Sequence, residues 1–185
     1  MTGYGGPEVM EIVDSAAPTP GPNDLLIDVE AAALNPIDFK TREGKIKPVI
    51  SYEMPQIMGN ECAGTVREVG SDVTSFSPGD EVFARVEKDR LGALAEQVAV
   101  DASVTALKPE SCSMEEAAGV PLVTLTAWQS LFDDGELKAG DKVFIQAGSG
   151  GVGTMAIQLA DHAEAYIATT CSESKFELVR SLGAD

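Results

Sequence analysis

Two stretches of this sequence carry residue types and spacings that can do chemistry. The first is Gly148-Ser149-Gly150-Gly151-Val152-Gly153, a G-x-G-x-x-G string. It follows an apolar run at 142–147 that reads as a strand and precedes small and apolar residues at 154–160 that read as a helix. In that context each glycine has a task. Gly148 lets the chain turn off the strand, Gly150 lets the backbone approach a pyrophosphate, and Gly153 lets helix and strand pack closely. The free N–H groups and partial positive charge of the helix N-terminus then serve the phosphates. Backbone donors from Gly150 through Gly151 and Val152 to Gly153 supply the contacts, with Ser149 in the same turn. The pattern points to a dinucleotide.

The second stretch decides which dinucleotide. A carboxylate at the end of the following strand holds a ribose 2′-hydroxyl. Here that place reads Ala168-Thr169-Thr170-Cys171-Ser172, without an acid, and Lys175 follows. Hydroxyls from Thr170 and Ser172 with the ammonium of Lys175 suit a 2′-phosphate, which a carboxylate would repel. NADPH is therefore favoured over NADH. Ser172 is also placed to cap the next helix.

Other reactive residues offer less. Cys62, Cys112 and Cys171 are far apart and form no C-x-x-C pair, so neither a disulfide framework nor a structural zinc site is expected. Cys62, beside Ala63-Gly64 on a strand, reads as core. The one histidine, His162, sits among Asp161, Ala163 and Glu164 and reads as a helix-surface residue.

These stretches need elements to position them. Residues up to about 110 read as β-rich: runs at 25–29, 62–69, 81–86 and 95–100 are separated by turn signals at Pro18–Pro22, Ser77-Pro78-Gly79-Asp80 and Gly92. Asn35-Pro36 ends a strand, and residues 37–43 suit a turn or two of helix. Ser113-x-x-Glu116 is a capping box ahead of a helix from Met114, and apolar residues at 121–132 recur at helical spacing. Strand 142–147 reads as buried on both faces. A second strand at 165–170 precedes a helix over 173–182 capped by Gly183. The βα pattern stops at Asp185 after two strands, so the sequence is expected to be part of a longer chain.

The composition excludes several partner classes. With 30 acidic and 13 basic side chains the formal charge is −17, which opposes nucleic acid and anionic membrane surfaces. No apolar run approaches a membrane span and no signal peptide is read at the start. A reduced, cytoplasmic setting is expected.

Several strings, in order, resemble the medium-chain dehydrogenase/reductase superfamily, specifically its zinc-independent NADPH:quinone oxidoreductase-like branch. They are Gly5-Gly6-Pro7-Glu8-Val9, Ala33-Leu34-Asn35-Pro36-Ile37-Asp38, Gly59-Asn60-Glu61-x-Ala63-Gly64, Gly79-Asp80-x-Val82, Gly92-Ala93-x-Ala95-Glu96 and the glycine loop. The resemblance implies a mixed β and α/β fold: a GroES-like β-barrel catalytic domain over 1–112, then the start of a Rossmann domain over 113–185, incomplete. It implies hydride transfer from NADPH to a quinone or an α,β-unsaturated carbonyl. Zinc-dependent relatives place metal ligands where this chain has Asn35 and Asn60, so no metal site is implied and a zinc alcohol dehydrogenase is disfavoured. A non-catalytic NADPH-binding protein is the remaining alternative. Asn35 would lie near the nicotinamide and donate to a developing oxyanion, Tyr52 would face cofactor or substrate, and Thr126 would lie close to the nicotinamide. A homodimer is implied for the full-length protein. The stretch Asp161-His162-Ala163-Glu164-Ala165 departs from the family in lacking a glycine at the turn into the strand.

Overall fold

In the segment Gln-Val-Ala-Val-Asp at 97–101, Val98 and Val100 turn inward while their neighbours stay partly exposed, the period of a strand with one covered face. The computed structural model describes all of Met1–Asp185; within its first unit, Met1–Pro121, the alternation recurs at Glu81–Arg85, whereas residues 24–27 and 61–64 are buried without a break. Strands β1 (Asp24–Ala32), β2 (Glu61–Val69), β3 (Glu81–Arg85), β4 (Gln97–Asp101) and β5 (Thr105–Leu107) form one antiparallel sheet in the order β4-β1-β2-β3-β5. Leu25, Ile27, Val66, Val82, Val98 and Val100 are among the residues that build its core. Strand β1 runs three residues past the expected end at 29. Its tail, Glu30-Ala31-Ala32, has little strand propensity, but pairing with Ala63 and Cys62 of β2 recruits it.

Helix α1 (Pro36–Arg42) starts at Asn35, with proline at its first position, where the missing N–H is no loss. Helix α2 (Met114–Ala118) begins after Ser113 as the capping box requires: Glu116 N donates to Ser113 Oγ and Ser113 N to Glu116 Oε2. Its Ala117 and Ala118 pack with Ala63 of β2.

The second unit, Leu122–Asp185, has two parallel strands, β6 (Lys142–Ile145) and β7 (Tyr166–Thr169), paired Val143 to Ile167 and Ile145 to Thr169. Parallel pairing demands a crossover, and α4 (Gly151–His162) supplies it. Ala156, Ile157 and Ala160 of α4 bury against Ile145 and Ile167. The expectation that the first strand is covered on both faces is corrected: Phe144 is 66% exposed and Tyr166 60%, because the buried members Ile145 and Ile167 share one face and their neighbours point the other way.

Two further corrections concern helices. The segment expected to be helical over 121–132 is α3 (Pro121–Trp128) followed by a wider π-helical turn at Gln129–Asp134. The helix after β7 divides into a 3₁₀ turn, Glu173–Lys175, and α5 (Phe176–Ser181), with Gly183 at φ 113° beyond its end. In the turn before β7, Glu164 takes a left-handed φ of 58°, so a carboxylate-bearing residue occupies the conformation a glycine adopts freely. No helix is long and apolar enough to cross a membrane.

Candidate functional site

The glycine loop is held by its own backbone. Ala147 turns left-handed at φ 57° and ends β6 two residues early. Gly148 N donates to the Thr170 carbonyl and Gly150 N to the Ala147 carbonyl, each at 2.9 Å. Gly150 is the extended N-cap of α4 and brings no capping side chain. The first intrahelical bond runs from Thr154 N to Gly150 O at 2.9 Å. The N–H groups of Gly151, Val152 and Gly153 thus precede any intrahelical partner and form a donor cluster at the helix N-terminus. The glycines divide by role. A Cβ on Gly153 would press on the Ala147 carbonyl and lie 2.6 Å from Gly148 Cα, whereas one on Gly150 would meet nothing nearer than 3.3 Å. Gly153 is required by packing, whereas a Cβ on Gly150 would meet only the Ala147 carbonyl oxygen, in a tight contact.

At the end of β7 the three expected phosphate-side residues separate. The Thr170 hydroxyl accepts the Ala147 N–H at 3.0 Å, so it braces the loop. Ser172 stands at the N-cap of the 3₁₀ turn without a side-chain capping bond, and its Oγ is 3.4 Å from Ser174 Oγ. Lys175 closes that turn with its N–H on the Ser172 carbonyl, and both side chains are exposed. Ser174 is a further hydroxyl at this corner that the spacing did not single out. Thr126 of α3 is exposed and donates to its own helix, Oγ1 to the Leu122 carbonyl at 2.7 Å.

In the first unit, Asn35 belongs to a buried polar cluster. Its amide nitrogen donates to Glu61 Oε1 at 2.5 Å, and its backbone N–H to Asp38 Oδ2 at 2.8 Å. Asn60 Nδ2 donates to Asp38 Oδ1 at 2.7 Å. Asn35, Asp38, Asn60 and Glu61 are all buried, Glu61 completely. Two buried carboxylates are strongly unfavourable unless paired. Arg85, the cross-strand partner of Glu61, brings the countercharge. Burial pulls the Arg85 guanidinium below its ordinary pKa, while Glu61 and Asp38 hold it up. Its Nη1 also bonds the Asn60 and Val86 carbonyls. Tyr52 is half-buried, its hydroxyl donating to the Lys88 carbonyl at 2.5 Å. Burial raises the phenol pKa and Arg85 opposes the rise. The sequence singled out Asn35 and Tyr52 but missed Glu61, Asp38, Asn60 and Arg85 as one cluster. The available signal was the density of acids and amides at turn-to-strand junctions.

Metal-ligand chemistry is poorly served by this cluster. A carboxylate accepts, so the amides of Asn35 and Asn60 must turn nitrogen toward Glu61 and Asp38, and an amide nitrogen is no zinc ligand. Asp24, Glu87 and Asp101 bring ligand oxygens within 4.8 Å of one another. The Arg90 guanidinium already bonds Asp24 through Nη1 at 3.0 Å and Nη2 at 2.6 Å, and Glu87 at 3.0 Å. Cys62 is fully buried with its thiol pKa pushed up to about 12, as a core residue.

Residues 21–110 match the alcohol dehydrogenase GroES-like domain family. The chain is 42% identical over 191 residues to the chloroplastic NADPH-dependent alkenal/one oxidoreductase of Arabidopsis thaliana, covering 98% of this chain and 49% of that protein. It is 41% identical to the mitochondrial NAD(P)H oxidoreductase RTN4IP1 of Danio rerio, covering 89% and 46%. Among solved structures, the quinone oxidoreductase from Coxiella burnetii superposes with a TM-score of 0.85 at 37% identity, covering all of this chain and 59% of that one. The chain spans about half the length of the curated relatives it matches. Their chloroplastic and mitochondrial names overturn the expectation of a cytoplasmic setting, which charge and cysteine content had suggested; neither property distinguishes cytosol from an organelle interior. With its sheet, its glycine loop and these relatives, the chain belongs to the medium-chain dehydrogenase/reductase superfamily, in the quinone oxidoreductase-like branch.

Proposed function

We propose that this protein is an NADPH-dependent reductase that transfers hydride to a quinone or an α,β-unsaturated carbonyl without a metal. The observation that carries the reading is the open backbone cradle at the N-terminus of α4, followed by a β7 end that offers hydroxyls and an ammonium and no carboxylate. The residues present fit the coenzyme. Gly151, Val152 and Gly153 donate N–H groups to its pyrophosphate, Gly148 and Ser149 shape the turn, and Gly150 leaves the approach clear. Ser172 and Lys175 receive the 2′-phosphate, and Thr170 acts by holding the loop. Thr126 serves the nicotinamide end.

When bound, NADPH supplies a hydride to the electron-poor carbon of the acceptor. The acceptor oxygen gains negative charge, and catalysis consists of orienting it and stabilising that charge. The cluster around Asn35 and the phenol of Tyr52 handle the acceptor in this scheme. Tyr52, its pKa raised by burial, keeps its proton at neutral pH and would hydrogen-bond the acceptor oxygen through its O–H, with the proton itself coming from solvent. Residues 1–112 form the acceptor-handling domain and 113–185 the beginning of the Rossmann domain, and the full-length protein pairs with a second copy.

The test is oxidation of NADPH and NADH by the purified protein against a panel of naphthoquinones and 2-alkenals, with coenzyme affinity measured by calorimetry. The expected result is turnover with a preference for NADPH. No affinity for either coenzyme would overturn the reading.

A further inference from the structure

The donor cluster at the N-terminus of α4 is built without a charged side chain. From Val143 to Ala160 the sequence has no Asp, Glu, Lys or Arg, a run that takes in β6 after Lys142, the glycine loop and α4 up to its last turn. Helix α3 is uncharged as well. The N–H groups of Gly151, Val152 and Gly153 therefore draw an anion as dipoles, whose pull fades within about one helical turn. The charge around them has the opposite effect. The second unit carries nine acidic against four basic side chains, all of them exposed, and the whole chain stands at −17. Lys175 is itself flanked by Glu173 in its own 3₁₀ turn and by Glu177 in the first turn of α5.

We infer that the anionic coenzyme reaches this cradle against the field of the protein, so that salt promotes its capture. This rests on the proposed reductase function and adds to it a control by ionic strength. Two ranges of force divide the work. The contacts in the cradle are short and dipolar, and they set how long a bound dinucleotide stays. The net charge acts out to the Debye length and sets how often an anion arrives. A site fed by a cationic funnel loses association rate as salt is added. Here the sign reverses, because screening removes a repulsion. NADPH carries a 2′-phosphate that NADH lacks, so it is the more strongly repelled and gains the more from screening.

The test is stopped-flow binding of NADPH and of NADH, read through the emission of the reduced nicotinamide. KCl raises the ionic strength from about 0.01 M to about 0.1 M, over which the Debye length falls from about 30 Å to about 10 Å. The association rate of NADPH should rise at least about threefold and that of NADH by less, with dissociation rates little changed. A second arm removes four exposed acids of the second unit together: Asp133→Asn, Asp134→Asn, Glu173→Gln and Glu177→Gln. This variant should bind NADPH faster than wild type at low salt and respond less to KCl. An NADPH association rate that is flat or falls with salt, an equal rise for NADH, or a variant with the salt response of wild type overturns the inference. If the variant does not fold, the two coenzymes compared on wild-type protein decide the matter. If neither coenzyme binds at any ionic strength, the reductase reading has failed instead.

Discussion

The Thr170 hydroxyl accepts the backbone N–H of Ala147 at 3.0 Å, across 23 residues of sequence. With Gly148 N on the Thr170 carbonyl at 2.9 Å, one residue at the end of β7 holds two consecutive peptide groups of the glycine loop. Thr170→Val removes the acceptor and leaves the Ala147 N–H without it. A loss of about 1 kcal/mol in urea unfolding and a several-fold weaker NADPH affinity are expected, with Thr170→Ser close to wild type. Unchanged affinity in the valine variant would show that the loop needs no brace.

The glycines at 150 and 153 separate binding from folding. Gly150→Ala adds a methyl 3.3 Å from a single atom, the Ala147 carbonyl oxygen, so the melting temperature should fall much less than in Gly153→Ala while NADPH affinity drops at least tenfold. Gly153→Ala drives a methyl into the Ala147 carbonyl and should lower the melting temperature itself. Lys175→Ala, at an exposed position, should leave stability alone and narrow the preference for NADPH over NADH. An unchanged coenzyme ratio would remove that lysine from the site.

Glu164 holds φ 58° in the turn into β7, a conformation that is unfavourable by about 1–2 kcal/mol for a residue with a Cβ. Glu164→Gly should therefore stabilise the protein, by about 1 kcal/mol once the greater freedom of the unfolded glycine is discounted. Chemical denaturation reads this directly, and a destabilised variant would contradict it.

Acid should weaken the first unit through Asp24. The hydrogen bond from Arg90 holds its carboxyl below the ordinary 3.8, with Gly21 N adding to the effect and burial opposing it. A lowered folded-state pKa means that the unfolded chain takes up the proton first as pH falls. The stabilisation is complete above about pH 4 and is lost as pH drops through the folded value. Asp24→Asn should lower stability at pH 7 by on the order of 1 kcal/mol and flatten the acid limb of the stability curve. An acid limb as steep as that of wild type would place the titration elsewhere.

Several local features were legible because glycines and capping residues act locally. The loop at 148–153, the capping box at Ser113 and the stop at Gly183 each follow from one or two residues whose backbone preferences leave few options. The left-handed Ala147 and Glu164 were not legible, since nothing in either side chain favours that conformation; neighbouring packing imposes it. The exposed face of β6 was misread because a run of apolar residues does not reveal which neighbours arrive to cover it. The Asn35 cluster is harder still. Asn35, Glu61 and Arg85 lie on three separate elements, and only the register that sets Glu61 opposite Arg85 turns scattered polar residues into one network.

A thiol reagent offers an independent check on the core. The Cys62 thiol, pushed up to about 12, carries almost no thiolate at pH 8 and is fully buried. Iodoacetamide should leave it unmodified in folded protein and alkylate it once urea is added. Modification under native conditions would mean that the sheet opens far more readily than its packing suggests.

Gly148 and Thr169 illustrate what the strand pairing demands over longer timescales. A methyl on Gly148 would run into the Thr169 side chain, which itself donates to the Ile145 carbonyl at 2.6 Å. Ile157 Cδ1 lies 2.9 Å from the same methyl. In a library randomised at 148 and 169, survivors with any larger residue at 148 will be those with a smaller one at 169 and an Ile157 side chain that has moved aside.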